Sequence, residues 1–143
     1  YPPKTNWALD GRATASNSFG NAGPHLAIDG DVDTSWTFLT NESPVWFEVD
    51  LGDKKPINTI QILGSSGIGE LYFDLQAAAD DGAWVDLGGY TISDGEIAYF
   101  NIEVVGSYKY IRLENIRRSA GLTFYAISEI QVLGEGCVAA TPN

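Results

Sequence analysis

Apolar and polar residues alternate along several short segments of the chain. The clearest of these segments are 45–51, 59–63, 71–77, 97–104, 110–114 and 128–133. They are rich in β-branched and aromatic side chains, as half-buried strands are. Turn signals rich in Gly, Asp and Pro separate them, and no long helical period appears. The pattern therefore predicts an all-β fold in which two sheets pack as a sandwich.

Two stretches depart from this alternation. Residues 13–38, which precede the first clear strand, are rich in Ala, Ser, Asn, Gly and Asp. A loop of that length inside a compact domain is usually functional or held in place by something. Residues 134–143 also lose the alternation. We expect one domain over residues 1–135 and the start of a linker over 136–143.

The charge balance narrows the classes of partner. Eight Lys and Arg stand against 19 Asp and Glu, a formal net charge of −11. This disfavours nucleic acid and anionic membranes, which bind through basic surfaces. No apolar run approaches the ~20 residues that cross a bilayer. The chain begins at Tyr1 without a signal pattern, so we expect a monomeric domain from a longer, secreted precursor.

The long loop contains a candidate metal site. Three aspartates fall within positions 29–33, Gly30 permits a tight turn, and Thr34 adds a hydroxyl and a carbonyl. Calcium prefers about six to eight oxygen ligands, although this spacing does not fit an EF-hand. Soft metals are disfavoured, because the chain has one His and a remote Cys. A polar turn whose side chains bond their own backbone explains the same residues equally well.

Six segments, taken in order, resemble the coagulation factor V/VIII type C (discoidin) domain. Within that superfamily they look most like bacterial carbohydrate-binding module family 32. The segments are Ala13–Ser16, Ala27–Trp36, Trp46–Gly52, Asp80–Trp84, Tyr108–Leu113 and Ile127–Val132. The resemblance implies a jelly-roll β-sandwich of the galactose-binding-domain-like type, with Trp36 and Trp84 in its core.

The resemblance also implies a structural calcium ion. The implied ligands are side-chain oxygens of Asp29 and Glu129, the hydroxyl and carbonyl of Thr34, and mainly backbone carbonyls of Leu26, Asp31 and Ser128. Glu129 opens the last predicted strand. The ion would therefore hold that strand to the long first loop, far away in sequence.

In the family resembled, the ligand sits on loops at one end of the sandwich. A sugar needs an aromatic face for its ring and a few fixed polar groups for its hydroxyls. The candidate stacking platforms are Phe38 and Tyr125, or Phe124 beside it. The other candidates are the polar Asn41, Glu70 and Arg117, together with Tyr72 next to the second loop.

The sequence leaves the identity of the sugar open. Galactose-binding members of the family usually have a His soon after the equivalent of Trp36 and an Arg in the loop at 67–70. Here Thr37 and Phe38 follow Trp36, and Glu70 is the only charge of that loop. An acidic site favours an amino sugar, as in chitosan. The pair Arg117–Arg118 instead suits a uronate carboxylate, as in alginate or pectin.

The function implied is a non-catalytic module that tethers a covalently linked glycoside hydrolase or polysaccharide lyase to its polysaccharide. An enzyme is disfavoured, because the paired carboxylates fit a turn or metal ligands and the one His lacks a nucleophile. The alternative is a protein- or lipid-binding discoidin adhesion domain. Such domains usually have a Cys near each end, and Cys137 is the only one here.

Overall fold

The computed structural model describes residues 5–31, 33–39, 44–64, 71–80, 84–92, 100–118 and 124–134. Within these ranges the strands are β1 Thr5–Asn6, β2 Arg12–Ala15, β3 Trp36–Leu39, β4 Phe47–Gly64, β5 Leu71–Ala78, β6 Trp84–Ile92, β7 Phe100–Arg118 and β8 Phe124–Gly134. Two short 3₁₀ helices cover Trp7–Asp10 and Pro24–Ala27. The predicted all-β sandwich is confirmed.

The two long strands β4 and β7 each contribute to both layers of the sandwich. Phe47–Asp50 pairs with Tyr110–Leu113, and a second antiparallel stretch begins at Lys55, which lies opposite Tyr108. The register shifts between Asp50 and Lys55, where Gly52 has a φ of 91°. Glycine tolerates this backbone conformation because it has no Cβ. The bend lets one pair of strands pass from one sheet to the other.

We call the layer formed by β2, the first half of β4, the second half of β7, β5 and β6 the front sheet. The back sheet contains the other halves of β4 and β7 with β8, and β8 also pairs with β1 and β3. All of these pairings are antiparallel.

The core consists of the apolar positions that alternate along these strands. Front-sheet examples with no more than 3% exposure are Phe47, Val49, Leu51, Leu71, Phe73, Leu75, Ile111 and Leu113. Ile60, Ile62, Ile130 and Val132 supply the back sheet. Burial of each such side chain stabilises the fold by roughly 1.5–3 kcal/mol before entropy costs. The inward faces predicted from the alternation are the buried ones.

The two tryptophans expected in the core differ. Trp36 is fully buried and packs on Phe47, with ring centroids 5.1 Å apart. Trp84 is only half-buried and lies on the outer face of the front sheet, against Tyr110 and Arg112. The expectation for Trp84 is therefore wrong, because this position opens β6 with its side chain outward.

The linker predicted over 136–143 lies outside the described residues, as does Cys137. No helix in the described part of the chain is long and apolar enough to span a membrane.

Candidate metal centre and glycan-binding surface

Several of the predicted metal ligands meet around the hydroxyl of Thr34. Its Oγ1 lies 2.6 Å from Asp29 Oδ2, 3.0 Å from the Asp31 carbonyl oxygen and 3.5 Å from the Leu26 carbonyl oxygen. Local geometry explains the convergence. Leu26 belongs to the second 3₁₀ helix, and Gly30 then turns the chain with a φ of 79°. The loop thus gathers oxygens of three kinds within a few ångströms.

The same loop also forms the polar turn that the sequence left as an alternative. Asp29 Oδ1 accepts a hydrogen bond from the Asp31 amide at 3.0 Å, and Asp31 Oδ1 accepts one from the Asp33 amide at 2.9 Å. These contacts are side chains bonding their own backbone two residues on. They occupy one oxygen of each aspartate. The two interpretations are compatible, because Asp29 Oδ2 points instead to Thr34.

Glu129 joins the loop to the last strand. It lies opposite Leu63 in the pairing of β8 with β4, and its side chain is fully buried. Its Oε2 accepts a hydrogen bond from the Gly30 amide at 3.1 Å. Among the described residues its Oε1 has no hydrogen-bond partner. A buried carboxylate oxygen without a partner is costly, and in a native protein it calls for an unseen ion or water.

Burial raises the pKa of Glu129 to about 7 from its ordinary 4.5. The amide of Gly30 lowers the pKa, while the carboxylates of Asp29 and Asp31 add smaller increases. The buried site therefore disfavours the ionised form of Glu129 when no cation is bound. A bound cation would reverse this balance, because opposite charge nearby favours the ionised form.

The donor chemistry fits a hard cation. The converging groups are carboxylate, hydroxyl and carbonyl oxygens, which calcium prefers over nitrogen or sulfur. Ser128, the remaining predicted ligand, is buried next to Glu129. In the part of the chain that the structure describes, no three His, Cys, Asp or Glu side chains form a metal-binding group by themselves. A metal here would depend on the backbone and hydroxyl oxygens as well.

The predicted stacking platforms are not available to a ligand. Phe38 has no exposed surface, and its ring stacks on Trp36 with centroids 3.9 Å apart. Tyr125 is opposite Phe38 in the pairing of β3 with β8 and is only 4% exposed. Both rings therefore belong to the core, and their prediction as sugar-stacking faces is wrong. The side chain of Phe124 is outside the described set.

Tyr72 and Arg117 are brought together by the structure. They lie opposite each other across β5 and β7, and the guanidinium carbon of Arg117 is 5.5 Å from the Tyr72 ring centre. Arg117 is exposed and its Nη1 donates to the Asn115 carbonyl at 2.9 Å. The pair flanks the chain segments 65–70 and 119–123. The other two candidates, Asn41 and Glu70, lie outside the described residues.

A further surface, which sequence reasoning missed, lies on the outer face of the front sheet. A depression of about 350 Å³ is lined by Pro44, Trp46, Arg112 and Glu114. Trp46, just before β4, and Arg112, on β7, each lie at an outward position between two buried neighbours. The sequence alone shows this alternation. The contact between the two side chains depends on strand register, which the sequence alone does not show.

Comparison with known proteins places the chain in a family. The profile of the F5/8 type C domain matches residues 12–130, and the chain belongs to this family. A search of curated protein sequences found no match.

Several solved structures similar to this chain are carbohydrate-binding modules. Chitosan-binding module 1 of a chitosanase/glucanase from Paenibacillus sp. IK-5 is 27% identical with a TM-score of 0.74, covering 91% of this chain and 99% of that one. The family 32 module of C. perfringens NanJ, solved with galactose, is 21% identical with a TM-score of 0.76 and coverage of 92% and 100%. At that lower identity the likeness shows the fold alone.

In a third similar structure the module accompanies a catalytic domain. Truncated AlyQ, with its family 32 module and alginate lyase domains, is 20% identical with a TM-score of 0.76. The match covers 95% of this chain and 34% of that one.

Proposed function

We propose that this domain is a non-catalytic carbohydrate-binding module that tethers a secreted glycoside hydrolase or polysaccharide lyase to its polysaccharide. One observation carries the proposal. The chain matches a chitosan-binding module over 99% of that module's length at 27% identity. The similar module in AlyQ stands beside a lyase domain, which supports the tethering role.

Binding of a glycan begins, in this proposal, at Tyr72 and Arg117. An aromatic ring beside a cation offers a stacking face and hydrogen-bond donors, the two features that sugar sites combine. The domain acts as a monomer and needs no chemistry of its own. Holding the linked enzyme at the polymer raises the local substrate concentration, which increases turnover without any new catalytic group.

We also propose that calcium occupies the oxygen cluster of the long loop. The ligands would be Leu26, Asp29, Asp31, Thr34, Ser128 and Glu129. The ion supplies positive charge that compensates the buried carboxylate of Glu129. The unpartnered Oε1 of Glu129 supports this assignment. The role is structural, because the cluster ties the loop to β8 and leaves Tyr72 and Arg117, on the front sheet, to meet the sugar.

The experiment that tests both parts is a binding assay on a panel of insoluble and soluble polysaccharides, with calcium and then with EDTA. A thermal melt is recorded in each buffer. We expect binding to at least one polymer of galactose, amino sugars or uronates, and a lower melting temperature in EDTA. No binding across the panel would overturn the module assignment, and binding to anionic liposomes instead would favour an adhesion domain. A melt unchanged by EDTA would overturn the calcium assignment alone.

A further inference from the structure

Two tryptophan rings on the front sheet lie near the guanidinium group of the same arginine. Trp46 lies at an outward position just before β4, Arg112 on β7, and Trp84 at the start of β6. The guanidinium carbon of Arg112 is 4.1 Å from the Trp84 ring centre and 6.0 Å from the Trp46 ring centre. The strand register explains the contact. Phe47 on β4 lies opposite Leu113 on β7, and these two residues are the chain neighbours of Trp46 and Arg112. Trp84 on β6 and Tyr110 on β7 both lie opposite Ala78 on β5, so the row crosses the strands diagonally.

This row, which we call the Trp46–Trp84 row, is held rigidly. Arg112 donates from Nε and Nη2 to Glu48 Oε1 at 3.0 and 2.6 Å. Tyr110 also packs against Trp84, with ring centroids 6.0 Å apart. Side chains that are already fixed lose little conformational entropy when a ligand binds. The row is therefore a preorganised surface of aromatic and polar groups.

Acidic side chains outnumber basic ones around the row: Glu48, Glu114 and Asp74 stand against Arg112 and Lys109, whose Nζ lies 5.0 Å from the Tyr110 ring centre. Arg112 forms a close ion pair with Glu48 at 2.6 Å and a longer one with Glu114, whose Oε2 lies 3.7 Å from Arg112 Nη1. Asp74 lies opposite Glu114 across β5 and β7. Glu114 lines the 350 Å³ depression, and the longer contact with Arg112 is the one ion pair of its carboxylate among the described residues. With a net charge of −11 on the whole chain, the complementary occupant is a cation.

We propose that the Trp46–Trp84 row is a second sugar-contact surface, and that it binds successive residues of a cationic amino-sugar polymer. This inference rests on the proposed function. The rings of Trp46 and Trp84 stack on sugar faces, and Glu114 pairs with an ammonium group. A polymer laid along the row is contacted at successive sugar residues, so the module binds chain interiors rather than chain ends.

The test measures affinity by calorimetry for glucosamine oligomers of increasing length and for their N-acetylated counterparts. We expect affinity to rise with length for the free amines, and to rise less for the uncharged acetylated series. Glu114→Lys is the main variant. Its matched control is Glu103→Lys, which makes the same charge change on the exposed surface of β7 in the back sheet.

Glu114→Lys is expected to weaken binding of the longest amine oligomer about tenfold or more, the loss of about 1.4 kcal/mol. Glu103→Lys is expected to change the affinity for the same oligomer by less than about twofold. A second variant, Trp84→Phe, removes the larger stacking face while a thermal melt confirms that it remains folded. Trp84→Phe should also weaken the binding of long oligomers only.

Equal effects of the two lysine variants, or affinity that does not grow with length, would overturn the second surface while leaving the proposed function intact. Equal affinity for acetylated and free-amine oligomers would also overturn the second surface and leave the proposed function intact. If the unmodified domain binds no polysaccharide of any class, the proposed function itself fails. The two failures are therefore distinguishable in one set of measurements.

Discussion

The carboxylate of Glu129 accepts a hydrogen bond from the amide of Gly30, 99 positions earlier in the chain, at a distance of 3.1 Å. This contact joins the last strand to the long loop that precedes the first long strand. The other carboxylate oxygen is buried and has no partner among the described residues. A single buried side chain thus joins two segments that lie far apart in the sequence, and its carboxyl group is removed from solvent.

Glu129→Gln should abolish the response of the domain to calcium. At a calcium concentration about 100 times Kd, binding stabilises a protein by ~2.7 kcal/mol. For a domain of this size we expect the unmodified melting temperature to rise by roughly 9 °C. The glutamine removes the anionic ligand, so its melting temperature should not change with calcium. Scanning calorimetry with calcium and with EDTA provides the measurement.

In EDTA the same variant should melt at or above the temperature of the unmodified domain, because it no longer buries a charged carboxylate. Glu103→Gln, at an exposed position, is the matched control and should keep the full calcium response. A calcium response retained by Glu129→Gln would contradict the assignment of this residue as a ligand.

The stability of the metal-free domain should fall as the pH rises from about 4.5 to 7. The pKa of Glu129 is about 7 in the folded chain and 4.5 as its ordinary value. Between these values the folded state binds more protons, so raising the pH favours unfolding. At about 1.36 kcal/mol per unit, the loss is on the order of 3 kcal/mol. Urea unfolding in EDTA across this pH range checks the slope.

Calcium should cancel this dependence, because it binds the deprotonated carboxylate and releases the proton. Its affinity should therefore increase with pH over the same window. Glu129→Gln provides the control, since it has no proton to lose there. A slope that persists in Glu129→Gln would assign the effect to another group.

Arg117→Ala should weaken binding of whichever polysaccharide the panel identifies. The guanidinium beside Tyr72 supplies donors that a truncated side chain cannot replace, and we expect a loss of about tenfold. Tyr72→Ala should have a similar effect through loss of the stacking face. Affinity electrophoresis in gels containing the polymer measures both. Arg12→Ala, at an exposed arginine on β2, is the matched control and should bind normally.

The sequence predicted the fold well because period-two alternation decides which side of a strand is buried. The inward positions of 47–51 and 71–77 are indeed core. The same rule contradicts the prediction of Phe38 as a stacking platform. Phe38 stands two residues after the core residue Trp36, so both side chains must lie on the same face of β3. The prediction of Phe38 as an exposed platform contradicted information that the sequence already contained.

Other parts of the site could not be predicted from one sequence. The contact of Arg112 with Trp46 and Trp84 depends on the registers of β4, β5, β6 and β7, which hydrophobic alternation alone leaves undetermined. Trp84 also occupies a motif position, and a motif does not state which way a side chain points. The convergence of Asp29, Thr34 and Glu129 was expected from a family resemblance, because spacing alone allowed a simple turn.

Phe38→Ala should destabilise the domain without a selective loss of sugar binding. Removal of a fully buried phenylalanine typically costs about 3–5 kcal/mol, through lost burial and the cavity that remains. Urea unfolding should show this loss, while the folded fraction binds polysaccharide with unchanged affinity. Phe19→Ala is the matched control, because Phe19 is 61% exposed and its removal should cost less than about 1 kcal/mol. If Phe38→Ala instead kept full stability and lost binding, Phe38 would be a ligand platform, and its assignment to the core beside Trp36 would be contradicted.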